Sequence, residues 1–380
     1  MSTTQPETTE KGRQMSKKVY RTDQVGSLVR PARLLDARDE YKAGRISTEA
    51  LAAAQDSAAA ELIERQKQAG MEIFTDGEVR RDAWQTVFSQ SVEGFEHTFP
   101  KMKMDRPDGT TVEVEMHDLA AVEKIRPTGR LAGTDAAFLR KHSPGPFKIT
   151  LPSPAFIART SYRPERSVAA YPTRQDFLKD VIEVVRDEMK ALVRDGASYI
   201  QLDEGFVYYV SEWVRAKQGT EEDLEGALAA DIGTENACYA AVRDDVTVAM
   251  HLCRGSRVSY MHGMDGYDWL AERLFRTLDV DRYLLEYDLD YGGFEALRFI
   301  PEGKTAVLGL ISSKEPELES QDTLLRRIEE ASKYCPLERL ALTTQCGFQA
   351  AADRDGAHIG YDNQWRKLEL MRETAERVWG

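Results

Sequence analysis

Short runs of β-branched and apolar residues alternate along this chain with longer stretches whose apolar positions recur at helical spacing against a charged face. Such alternation predicts βα units feeding a parallel sheet. Eight runs qualify as strands: residues 18–25, 71–75, 147–151, 199–202, 246–252, 283–285, 305–311 and 339–344. Between them the spacing predicts helices over 49–69, 174–195, 221–244, 267–278, 322–334 and 365–378. Gly70 and Gly196 directly follow the first two, where a glycine takes the left-handed conformation that ends a helix.

Eight strand–helix units predict an α/β fold, a single closed (β/α)8 TIM barrel. A doubly wound open sheet is the rival, but no Gly-x-Gly-x-x-Gly turn follows the first strand. Residues 91–146 break the alternation. They hold Asp105-Arg106-Pro107-Asp108-Gly109, a turn signal between two runs that can pair as a hairpin. This range reads as an insertion after strand two, on the side where barrel loops build or cover active sites. Residues 1–18 are polar and read as a disordered leader, which leaves 19–380 as one catalytic barrel.

Composition adds exclusions. At 380 residues the chain suits one barrel with insertions, and a net charge of −13 argues against a broad nucleic-acid surface. The N-terminus has no signal-peptide core, and nothing reads as a membrane span. The four cysteines, Cys238, Cys253, Cys335 and Cys346, are too scattered for a disulfide framework. A reducing cytoplasm is expected, where thiolates are free to bind metal. Oligomeric state is not legible.

The strongest chemical signal is His251-Leu252-Cys253. Residues two apart on a strand share a face, so both side chains aim into the barrel mouth. Alone the pair is a weak signal, and a packed strand end is the better reading of it. The next strand, however, ends in Glu286 and the last in Cys346, and barrel strand ends share one rim. His251, Cys253, Glu286 and Cys346 are thus expected to converge on one tetrahedral Zn²⁺. Cys238 and Cys335 read as packing or surface residues, His262 as a loop histidine, and Arg254 as either an anion contact or a partner for nearby carboxylates.

Five motifs then occur in order: Asp23-Gln24-Val25-Gly26-Ser27, Thr75-Asp76-Gly77-Glu78, Ile200-Gln201-Leu202-Asp203-Glu204, His251-Leu252-Cys253 and Thr344-Gln345-Cys346-Gly347-Phe348. From about Val19 onward the chain resembles the catalytic C-terminal half of cobalamin-independent methionine synthase, and more closely its short single-barrel relatives. The resemblance implies that His251, Cys253, Glu286 and Cys346 hold zinc. It implies that Gly26, Ser27, Glu78 and Asp203 hold an amino acid thiol, the two carboxylates meeting its ammonium. Two departures stand out. The family's N-terminal barrel, which helps bind the folate donor, is not in this sequence. Residues 311–316 read Ile-Ser-Ser-Lys-Glu-Pro where the full-length enzyme has a histidine that assists proton transfer.

Two thiolates and a carboxylate on Zn²⁺ leave the site near −1, poor for polarising a carbonyl but suited to holding a substrate sulfur without its proton. The expected reaction is alkyl transfer to a small-molecule thiol, with Glu286 the ligand that thiol could displace. Orientation of sulfur and donor alone contributes roughly 7–11 kcal/mol. Homocysteine is the favoured acceptor, giving methionine. The alternative is an epoxyalkane:coenzyme M transferase, whose sulfonate would need Arg30 or Arg254. A metal-free uroporphyrinogen-decarboxylase-like enzyme would not need His251, Cys253 and Cys346, and a non-catalytic zinc protein is the remaining reading.

Overall fold

The computed structural model describes residues 19–98, 101–105, 111–115, 118–203, 206–210, 215, 219–254, 266–287, 292–352 and 357–380. The leader expected over 1–18, together with His262 and Glu204, lies outside them. Among the described residues ten strands follow one another. They are β1 (Val92–Thr98), β2 (Lys101–Asp105), β3 (Thr111–Glu115), β4 (Asp118–Pro127) and β5 (Lys148–Pro152), then β6 (Tyr199–Asp203), β7 (Thr247–Leu252), β8 (Arg282–Glu286), β9 (Thr305–Ile311) and β10 (Leu340–Thr344).

β5 to β10 form one parallel sheet in sequence order. β5, β6, β7, β8 and β10 are buried at every position, as expected of strands covered on both faces. The first two expected strands are not regular strands. Each touches the sheet through one parallel bridge, Thr22 to Leu342 on β10 and Phe74 to Phe147 just before β5. The described sheet therefore has six strands with a bridging segment at each edge, where eight full strands were expected.

Side chains explain the difference, because they take the backbone partners that a ladder would use. Gln66, fully buried on the helix Thr48–Gln68, accepts from Thr75 N at 3.0 Å and donates to Thr75 O at 2.8 Å. It also accepts from Gln24 Nε2 at 2.6 Å, which joins the two edge segments. Lys148 Nζ donates to Gln24 O, and Gln201 Nε2 donates to Val25 O at 2.8 Å. Every buried backbone group still needs a partner; here glutamines and a lysine supply them.

The long helices lie close to the expected spans: Thr48–Gln68, Arg174–Arg194, Gln321–Ser332 and Tyr361–Trp379. Gly70 (φ 74°) and Gly196 (φ 97°) do terminate the first two in the left-handed region. Besides one-turn helices, three helices of eight or more residues had no sequence expectation: Ala32–Lys42, Gly133–His142 and Pro154–Ser161. All are short, and the last is set by its ends, with Ser153 capping Phe156 N and proline in the first turn. Within 91–146, β1 pairs antiparallel with β4 and β2 pairs with β3, before the helix Gly133–His142.

The core divides in two. A large outer cluster lies between sheet and helices, and a small inner one includes Tyr199, Ala249, Leu284, Val307 and Ala341, one from each strand of β6 to β10. Strand side chains alternate faces, so this inner cluster fixes which residues share its side. Counting in twos gives Gln201 and Asp203 from Tyr199, His251 from Ala249, and Glu286 from Leu284. The residues expected to do chemistry thus stand directly above the inner cluster, toward the C-terminal strand ends.

Candidate metal centre

His251 near the end of β7, Cys253 just past it, Glu286 at the end of β8 and Cys346 just past β10 come together. One donor atom from each lies within 4.8 Å of all the others. The two sulfurs are 3.9 Å apart, too far for a disulfide, and neither cysteine is in one. His251 Nε2 is 4.0 Å from Glu286 Oε1. His251 is buried, yet neither ring nitrogen makes a well-formed hydrogen bond. Burial pushes its pKa down to about 3, with the Leu284 backbone opposing, so the imidazole is neutral and keeps a lone pair. Two sulfurs, a neutral imidazole and a carboxylate around an orphaned buried nitrogen make a donor set that fits a tetrahedral metal.

Glu286 is fully buried and its orientation is fixed from several sides. Oε1 accepts from the Arg254 backbone N at 2.7 Å. Oε2 accepts from Gln345 Nε2, the residue before Cys346, and lies 3.6 Å from Lys314 Nζ. Ser313 Oγ in turn donates to Gln345 Oε1 at 2.8 Å. Tyr267 ties the strand ends together: its hydroxyl donates to Leu252 O at 3.2 Å and accepts from Glu286 N at 2.9 Å. Outer contacts of this kind orient ligands to a metal.

Of the four residues expected to meet a thiol substrate, Asp203 and Ser27 adjoin this centre, and Gly26 and Glu78 lie against each other. Asp203 sits directly beside His251 in the parallel ladder. Its Oδ1 accepts from Gln201 Nε2 at 2.6 Å. A Cβ on Gly26 would fall 2.6 Å from Glu78 Oε1, so only glycine allows this carboxylate so close. A Cβ on Gly347 would fall 2.1 Å from Ser27 Oγ, which brings Ser27 against the residue after Cys346. Glu78 has φ 57°, the one positive value outside glycine among the described residues. A conformation that costs on the order of 1–3 kcal/mol persists where the surroundings impose it. Here Arg30 Nη2 grips Glu78 O at 2.8 Å and Arg81 O at 3.1 Å. The Glu78 carboxylate accepts from Thr150 Oγ1 at 2.6 Å on Oε1, while its buried Oε2 has no partner.

Arg30 is committed to that turn and to Gln349 O at 3.1 Å, so it is not placed to receive a sulfonate. Arg254 lies over the Tyr267 ring at 4.9 Å. Cys238 and Cys335 are buried away from the set of four, as packing residues. Sequence reading missed Gln345, Lys314, Tyr267, Thr150 and Arg81. Gln345 and Lys314 lay inside segments already singled out, but nothing in a linear chain says that both face Glu286.

A parallel α/β sheet with nitrogen, sulfur and oxygen donors gathered at its strand ends defines an α/β enzyme scaffold with a candidate metal centre. The chain belongs to the family of the cobalamin-independent synthase catalytic domain, which it matches over residues 20–376, and that makes it a methionine synthase-like enzyme. It is 32% identical over 378 residues to YxjH, an uncharacterised protein of Bacillus subtilis, covering 97% of each chain. It is 27% identical over 331 residues to a methionine synthase of Sulfurisphaera tokodaii, covering 86% of each. A crystal structure from Listeria monocytogenes, a candidate vitamin-B12 independent methionine synthase, superimposes with TM-score 0.74 at 26% identity, covering 96% of this chain and 99% of that one. Among the described residues no helix is long and apolar enough to cross a membrane.

Proposed function

We propose that this chain holds one Zn²⁺ through His251, Cys253, Glu286 and Cys346, and transfers a methyl group to the thiol of homocysteine, giving methionine. The observation that carries this reading is the gathering of four donor atoms within 4.8 Å around an imidazole whose buried nitrogens make no well-formed hydrogen bond. Zinc bound there supplies an acceptor that keeps a thiol as an electron-rich thiolate at neutral pH. The chain's own residues do the rest. Glu78 Oε2 and Asp203 receive the substrate ammonium, with Gly26 giving the close approach and Ser27 the adjoining wall. Thr150 and Gln201 fix the two carboxylates, so little ordering remains when substrate enters. In the transfer the thiol proton passes to solvent, the sulfur–methyl bond forms, and the bond from methyl to donor breaks with its electron pair left on the donor.

Two acidic groups and a committed Arg30 favour an ammonium-bearing thiol over coenzyme M. A metal-free decarboxylase would leave the pairing of His251 with two thiols without purpose. The same reading takes the sheet as a closed eight-stranded barrel, supported by the edge bridges and by the Gln24–Gln66 link between the edge segments. Four thiols without a disulfide suit a reducing cytoplasm.

Elemental analysis of purified protein tests the metal, and a radiolabelled methyl transfer assay with homocysteine tests the reaction. About one zinc per chain is expected, lost in Cys253→Ser and Cys346→Ser together with activity. Full zinc occupancy in either variant sinks the ligand set.

A further inference from the structure

The structure puts Lys314, on the loop after β9, beside a candidate ligand. Lys314 is 5% exposed, and its Nζ lies 3.6 Å from Glu286 Oε2. Neighbouring groups anchor its loop. Lys314 N donates to Ser312 Oγ at 3.2 Å, Ser312 N to Glu319 Oε1 at 2.7 Å, and Lys367 Nζ to the same oxygen at 2.8 Å. Asn363 Nδ2 donates to Pro316 O at 3.0 Å. A buried ammonium is costly unless its charge is matched, and the Glu286 carboxylate lies within ion-pair distance of this one.

We propose that Lys314 is a positioning residue that holds Glu286 in competition with the metal, weakening that carboxylate's grip so that a substrate thiol can take its place. This rests on the zinc–thiol reading above. The argument is one of charge. A third anionic sulfur arriving at a centre of four ligands favours release of one of them, and a released Glu286 stays buried, since it is fully enclosed. A released carboxylate with no counter-charge would oppose exchange. Lys314 supplies the charge, and Gln345 Nε2 supplies a hydrogen bond to the same oxygen. The same ammonium repels a bound cation, so it loosens the metal while it favours the thiol. A lysine that only supported the fold would strengthen both.

The experiment compares wild type with Lys314→Met, Lys314→Gln and Lys314→Arg. Zinc affinity is measured by competition with a chromophoric chelator, and homocysteine affinity by calorimetry on zinc-loaded protein without methyl donor. Lys314→Met should bind zinc more tightly, by several-fold, and homocysteine more weakly, by roughly tenfold, the scale of outer-contact effects at metal sites. Lys314→Arg keeps the charge and should stay near wild type in both. If Lys314→Met does not fold, Lys314→Gln carries the same two opposed signs. Zinc and homocysteine affinities that fall together, or a homocysteine affinity that does not change, overturn the proposal. A wild-type chain that takes up no zinc or no homocysteine fails the underlying reading instead, and shows it before any variant is compared.

Discussion

At Glu78 three observations converge on one side chain: a left-handed backbone, a buried carboxylate oxygen without a partner, and a glycine that a Cβ would push away. Thr150 Oγ1 accepts from Arg81 at 2.9 Å and donates to Glu78, so one oxygen is fixed while the other is left without a hydrogen bond. Glu78→Gln should weaken homocysteine binding by about 1.5–3 kcal/mol, the range of a hydrogen bond to a charged group, while zinc stays bound. Asp203→Asn should do likewise. Calorimetry with homocysteine checks both, and unchanged affinity in the pair would return the acceptor to a thiol without an ammonium. The carboxylates were legible in the sequence as members of short motifs. Thr150 and Arg81 were not, because they reach Glu78 across different segments of the chain.

Two elements carry loads that their sequence pattern does not announce. Gln66 on the helix Thr48–Gln68 stands in for a missing strand ladder, with both its amide atoms bonded to buried groups. Gln66→Leu would leave several of these unpaired at about 1–3 kcal/mol each, so urea unfolding should show a loss of roughly 3 kcal/mol. A loss below about 1 kcal/mol would mean that the edge segments find other partners.

Glu235, fully buried on the helix Glu221–Tyr239, accepts from Ser153 Oγ at 2.7 Å and Ala155 N at 3.2 Å, joining that helix to the turn after β5. Burial raises its carboxyl to about 8. The unfolded chain ionises it near an ordinary 4.5, so the folded state holds an extra proton between these values and stability from this group falls as pH rises through them. Glu235→Gln removes that slope. Relative to wild type its unfolding free energy should improve from about pH 5 to about pH 8; a gap that stays constant refutes the raised pKa.

For the molecule as a whole, a metal joining β7, β8 and the segment after β10 would link distant parts of the chain and couple folding to its binding. Zinc at about 100 times its Kd adds about 2.7 kcal/mol to stability. Chelation should therefore lower the Tm by several degrees, readily seen by calorimetry, and added zinc should restore it. Cys346→Ser should melt at one temperature with or without chelator. A wild-type Tm indifferent to chelator would exclude a metal linking these strands.

Local pattern was enough for the strands β5 to β10 and the long helices with their glycine ends, because periodicity is a property of neighbouring residues; that His251, Cys253, Glu286 and Cys346 lie together is decided by the fold. The edge segments looked like strands for the same reason: they are short and apolar. Whether they pair regularly depends on Gln24, Gln66, Lys148 and Gln201 competing for their backbone groups, and those side chains meet only in the folded chain. The centre divides in the same way. His251 and Cys253 declare themselves two residues apart, whereas the setting of Glu286 by Gln345, Lys314, Tyr267 and the Arg254 backbone is built from four separate stretches. Spacing along a strand fixes which face a donor occupies; only packing fixes which charges surround it.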